Sequence, residues 1–223
     1  MKTLIPNRFL FSFELALAYR AKMPPFDGRL TGWTDAELLP RLGEIDGRPD
    51  FGDVWACWND TGIAIAARVS EKRKALRCDP NQYWKGDNLR LCTDMRDARN
   101  VRRATRYCQQ FFFLPAGGGR NHDRPCAGCG AFQRSREDAP AVAADKIRVA
   151  AEVSKTGYTL EGFVPAECLI GFDPEQHARI GFYYILEDGD HGRQYLTIGD
   201  DLGWNVDPST WATAVFARQL SAD

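Results

Sequence analysis

Apolar residues recur with a period of two along most of this chain, the spacing that places alternate side chains on one face of a β-strand. Ile63, Ile65, Ala67 and Val69 alternate with Ala64, Ala66, Arg68 and Ser70. Ile147, Val149, Ala151 and Val153 share one face, with Arg148 and Glu152 on the other, and the "KTG" turn at 155–157 leads into Tyr158, Leu160 and Val164. That pair predicts a hairpin. Phe9, Phe11, Phe13, Leu15 and Leu17 form another alternating run near the start, and Ile180, Phe182, Tyr184 and Leu186 a third. "CQQFFFLP" at 108–115 is continuously apolar after its glutamines, as in a strand covered on both faces. Helical signals are short. "TDAELLPRL" at 34–42 has Thr34 as an N-cap with Glu37 three residues on, and Pro40 interrupts it; "PAECLIG" at 165–171 allows at most two turns. Many strands joined by Gly- and Pro-rich turns predict an all-β fold, an antiparallel β-sandwich with one or two short helices. The stretch 115–146, with "AGGGRNHDRPCAGCG", reads as a long loop or insertion.

The totals narrow this picture. At 223 residues, 44% hydrophobic and 26% charged, the chain suits one domain spanning 1–223 with a substantial core. Lys and Arg (29) nearly cancel Asp and Glu (30), so no global field draws it to nucleic acid or to an anionic membrane. Nowhere do about 18 apolar residues run without interruption. "MKTLIPNRFLFSFELAL" starts like a secretion signal, but Glu14 breaks the apolar run and no small-residue cleavage site closes it, which predicts a cytoplasmic protein or an excised domain. The seven cysteines, at 57, 78, 92, 108, 126, 129 and 168, are odd in number and mostly lie in apolar segments. They point to a reducing compartment more than to a disulfide framework.

Four constellations could do chemistry. Trp84 in "QYWKGDNLRLCTD" and Trp204 in "LGWNVDPSTW" occupy turn-rich segments beside strands. Each either caps an open end of the core or offers an indole face to a ligand. In "LEDGDHGRQ", Asp188 and Asp190 with Glu187 and His191 either bind calcium through oxygen ligands or form a solvated turn. His122, Cys126 and Cys129 are three soft ligands that could begin a zinc site, its fourth member a distant Cys78, Cys108 or His177; the alternatives are a redox pair, a local disulfide or ordinary thiols. Arg96, Arg99, Arg102, Arg103 and Arg106 either bind an anion or form a solvated connection. No nucleophile elbow, phosphate-cradling loop or HExxH motif occurs, so catalysis is not expected.

Six stretches in order, "PPFDGRLTGW", "VWACWNDTGIAIAARVSEK", "YWKGDNLRLCTD", "GYTLEGFVPAECL", "RIGFYYILEDGDHGRQ" and "WNVDPSTWATAVF", resemble the motifs of family 9 carbohydrate-binding modules, over residues 24–217. The resemblance implies a DOMON-like sandwich and a saccharide ligand held without catalysis. It implies that Trp84 and Trp204 enclose a terminal sugar, that Gln110 contacts it, and that calcium, rather than zinc, is the metal to expect, at the acidic loop 187–190. A glycoside-active parent enzyme is the implied partner. Two departures stand out: Arg90 replaces an acidic residue of the pattern, and Phe111, Phe112, Phe113 and Leu114 replace polar alternation. The expected site is therefore Trp84, Trp204, Gln110 and Arg90. The alternative is an interaction or scaffold domain that kept the sandwich and lost the sugar, with zinc at Cys126 and Cys129 ordering a loop; haem binding as in other DOMON relatives would need an axial pair such as Met95 with a histidine.

Overall fold

The computed structural model describes residues 11–48 and 50–218. Among the described residues eleven strands follow one another: β1 Glu14–Tyr19, β2 Gly52–Asn59, β3 Gly62–Val69, β4 Asn88–Asp94, β5 Cys108–Gly118, β6 Arg124–Gly130, β7 Arg148–Val153, β8 Tyr158–Pro165, β9 Arg179–Asp188, β10 Gly192–Tyr195 and β11 Ala212–Ala217. They hydrogen-bond in the order β6-β5-β4-β9-β11-β1-β2-β3-β8-β7, with β10 paired to β9. The path folds over so that β5 faces β8: a methyl on Gly162 of β8 would run into the Phe113 ring of β5. The result is the all-β sandwich that the alternation predicts. Its pairings are antiparallel except at β1, which lies parallel to both β11 and β2.

The β7–β8 hairpin forms with Val153 opposite Tyr158, and Ser154 N–H closes its turn on Gly157 O at 2.9 Å. Of the first alternating run, Phe9 lies outside the described residues; Phe11 is exposed and the strand begins only at Glu14. The helical signals yield single 3-10 turns. Thr34 and Glu37 do form their capping box, but Leu39 N–H immediately bonds Val54 O at 2.8 Å. Pairing with β2 therefore outcompetes a second helical turn. Among the described residues no helix is long and apolar enough to cross a membrane.

Residues 115–130 are not loop, contrary to the sequence expectation. β5 runs on to Gly118 and turns into β6, so the stretch is a hairpin, and 131–143 alone lacks regular structure. The composition misled because "AGGG" and "AGCG" have little strand propensity; the cross-strand ladder from Gln110–Gly130 to Leu114–Cys126 supplies the order instead.

β3 is buried on both faces. Ile63, Ile65 and Val69 enter the main core, while Ala64 and Ala66 pack beneath Met23, Phe26, Leu30 and Trp33. The buried Glu161 anchors that covering segment. Gly28 N–H (2.5 Å) and the Trp33 indole N–H (2.8 Å) both donate to the buried Glu161 carboxylate. Burial raises the Glu161 carboxyl. The glycine and tryptophan of "DGRLTGW" and the glutamate of "TLEGF" thus form one contact.

Candidate functional site

One rim of the sandwich is built by the segment 77–87, β4, β5 and the 199–207 turn. Asp87 closes the base of 77–87, accepting from Arg77 N–H at 2.6 Å and donating its own N–H to Arg77 O at 2.8 Å. Asp79 caps the turn Pro80–Gln82 inside it. This presses Tyr83 flat on Phe112 (ring centroids 4.3 Å apart, 8° between planes) and points the Tyr83 hydroxyl at Gln110 Oε1, 2.9 Å away. Trp84 stands edge-on to Tyr83 and remains 43% exposed.

Trp204 is different. It is 5% exposed, packs on Tyr183 at 5.5 Å, and lies under the Arg90 guanidinium at 5.4 Å. Its indole N–H donates to Asp200 Oδ1 at 3.0 Å, and its carbonyl accepts from the Trp211 indole at 3.0 Å. Asp207 and Ser209 form the capped turn that follows. Trp204 is therefore wedged into the rim, answering the choice between cap and platform largely in favour of the cap.

A polar chain surrounds it. Arg90 Nε donates to Asn88 Oδ1 (3.0 Å) and its Nη2 to Glu187 Oε2 (3.1 Å). Arg193 joins Glu187 (2.9 Å) to Asp200 (2.6 Å). Burial alone would raise the Asp200 carboxyl; hydrogen bonds from Trp204, Tyr195 and Arg193 outweigh it and hold the group below the usual carboxylate range. Between these walls lies a cavity of about 270 Å³. Trp84, Arg90, Gln110 and Trp204 all line it, together with Tyr83, Phe132, Arg193, Asp200 and Asn205. The sequence reading missed the last five. Tyr83, Arg193 and Asn205 lie inside the motif stretches; Phe132 and Asp200 gave no signal of their own.

The metal candidates fare otherwise. Asp188 and Asp190 do converge, with Asp87, on a cation, but it is the ammonium of Lys72 (Nζ to Asp87 Oδ1 2.6 Å, Asp188 Oδ2 2.9 Å, Asp190 Oδ2 3.6 Å). Backbone N–H groups of Arg73, Lys74, Arg77, Gly189, Asp190 and His191 take up further carboxylate oxygens. The place expected for calcium is thus filled from within the chain. The zinc reading fails on strand geometry: Cys126 and Cys129 are an odd number of residues apart on β6 and so face opposite ways. Cys129 packs on the core, Cys126 points to Ala116 O (3.5 Å), and His122 sits at the hairpin tip against Gly117 O. Among the described residues no three His, Cys, Asp or Glu side chains are placed to hold a metal. Met95, the haem candidate, is a fully buried core residue. Three of the five clustered arginines are spent on backbone carbonyls, Arg96 on Gly171 (2.8 Å), Arg99 on Ser209 (3.2 Å) and Arg103 on Arg134 (2.7 Å), and Arg106 pairs with Glu137 (3.5 Å).

The fold has close counterparts among solved structures. A family 9 carbohydrate-binding module from Caldicellulosiruptor kristjanssonii, in complex with cellotriose, superposes with a TM-score of 0.61 over 94% of this chain and 97% of its own, at 12% identity. Its complex with glucose gives the same score and identity, over 94% and 98%. A Bacteroides uniformis protein superposes at 0.59, with 12% identity over 93% and 100%. The fold is similar to that of family 9 carbohydrate-binding modules. No protein-family model matches the sequence, and no curated protein does.

Proposed function

We propose that this protein is a non-catalytic saccharide-binding module whose ligand occupies the rim cavity. One observation supports this above others: the four residues that the family resemblance picks out, Trp84, Arg90, Gln110 and Trp204, line a single cavity of about 270 Å³. In this reading the half-exposed Trp84 offers its indole to the flat C–H face of a sugar ring. Trp204, covered by Arg90, is the floor rather than a second stacking face. Arg90, Asp200 and Asn205 orient hydroxyl groups around it. Gln110 keeps a donor for the same purpose, since among the described residues its amide nitrogen meets Cys92 Sγ alone, at a long 3.6 Å. The fold neighbour seen with glucose and with cellotriose supports a saccharide ligand. Such a module would serve a glycoside-active enzyme by holding it on its polymer.

Titration calorimetry with glucose and cellotriose, extended by a glycan array, tests this. Binding by the wild type that Trp84→Ala removes is the expected result. Silence of the wild type across the array would overturn it and leave the scaffold reading.

A further inference from the structure

We propose that Cys78 and Cys126 are the two halves of a disulfide that rivets the Trp84 segment to β6. The Cys126-x-x-Cys129 spacing suggested a local bridge, but those two side chains lie on opposite faces of β6. The sulfur that faces Cys126 comes instead from the base of the 77–87 segment. Both thiols address one peptide residue: Ala116 N–H donates to the Cys78 sulfur, and Cys126 Sγ–H donates to Ala116 O at 3.5 Å. The next two residues are glycines, each leaving room for one cysteine. A methyl at Gly117 would lie 3.4 Å from Cys78 Cβ, and one at Gly118 2.9 Å from Cys126 Cβ. Both cysteines are free and only partly buried, whereas Cys57, Cys92, Cys108 and Cys168 are buried.

The position gives the bond a consequence. Cys78 sits one residue inside the base that Arg77 and Asp87 close, and its Sγ–H also reaches Asp87 O at 3.5 Å. Tyr83 and Trp84 stand at the far end of that segment. A covalent tie from its base to β6 removes freedom from the segment before any ligand arrives, the effect by which preorganisation strengthens binding.

The chemistry is thiol–disulfide exchange with a low-molecular-weight disulfide, here oxidised glutathione. The Cys126 thiolate attacks one glutathione sulfur and expels a glutathione thiolate. Cys78 then attacks Cys126 Sγ in the mixed disulfide and expels the second. Two protein thiols and one oxidised glutathione become one protein disulfide and two reduced glutathiones. Burial raises both thiols, Cys78 to about 12, so exchange in the folded chain is slow at neutral pH and the bond forms during folding.

The test is refolding of the full chain in glutathione buffer, alkylation of remaining thiols, digestion and mass mapping. The expected product has lost the mass of two hydrogens, shows one crosslinked peptide joining Cys78 to Cys126, and is restored by reductant. Cys126→Ser and, separately, Cys78→Ala should each abolish that peptide, and amide exchange at residues 82–85 should slow on oxidation of the wild type. Recovery of both cysteines alkylated in folded protein, or mapping of either one to a different cysteine, would overturn the assignment. Neither readout depends on a saccharide being bound.

Discussion

Lys72→Met removes the ammonium from a closed box of carboxylates and keeps most of its stem volume. The side chains of Asp87 and Asp188 are inaccessible to solvent and that of Lys72 is nearly so, and the carboxylates are 2.6 and 2.9 Å from Nζ. Removing one partner of such a buried pair costs about 3–5 kcal/mol, because the charges left behind have neither water nor counter-ion. For a chain of this size that is a Tm drop of roughly 10 °C, at about 2–4 °C per kcal/mol. The pH dependence distinguishes the cause from simple loss of packing. In the wild type, burial would raise Asp188, but its hydrogen bonds with Asp87, Lys72 and the backbone outweigh this and lower it. Its contribution is therefore present above about pH 3.9 and lost as pH falls through the lower folded value. Burial depresses Lys72, and the same carboxylates more than reverse this, so its contribution is complete below about pH 10.4 and lost as pH rises through its raised folded value. Burial already holds Asp87 above its usual range in the wild type; without the ammonium it rises further and Asp188 rises above its unfolded value, so the sign inverts for Asp188 and the variant recovers stability as it is acidified. Urea unfolding of both proteins from pH 7 to pH 4 should show a deficit that is largest at pH 7 and shrinks toward pH 4. A deficit below about 1 kcal/mol at pH 7, or one that stays flat, would refute the argument. By the same logic calcium or EDTA should leave the wild-type Tm unchanged, and a calcium-dependent rise would show that Lys72 does not occupy the cation's place.

Trp84→Ala should change stability by only about 1 kcal/mol, since the side chain is half-exposed, while weakening saccharide binding about tenfold or more by calorimetry. Trp204→Ala should instead destabilise by about 3–5 kcal/mol in denaturant unfolding, because its ring is enclosed by Tyr183 and Arg90; an unchanged Tm would show that it is a free platform after all. Gly162→Ala should cost about 1–3 kcal/mol, as the new methyl meets the Phe113 ring across the sandwich, and a smaller-than-expected loss would mean the two layers can separate locally.

Alternation was legible in the sequence because it is a local property: a strand that sends one face into the main core repeats its large apolar residues every two positions, as Ile63 to Val69 and Ile180 to Leu186 do, even where the other face is covered too. The hairpin at 155–157, the capping box of Thr34 and Glu37, and the Asp207 turn were legible for the same reason, each being complete within a few residues. Four of the residues lining the cavity were reachable through motif resemblance, since Trp84 and Trp204 lie in recognisable turns. Contacts across the sequence were not. Nothing near Asp188 announces that Lys72, 116 residues away, will lie 2.9 Å from it. Nothing in "AGGG" shows that a partner strand will order it. Nor does "CAGCG" reveal that its two thiols will face opposite ways, until β6 is known to be a strand. Sequence by itself determined the class of fold and the strands and turns that carry an alternating pattern, because local sterics and burial set these; β6, without such a pattern, was not among them. The burial of Trp204, the internal cation at the acidic turn and the meeting of Cys78 with Cys126 were decided only by tertiary structure, because each depends on which distant segments the sheet order brings side by side.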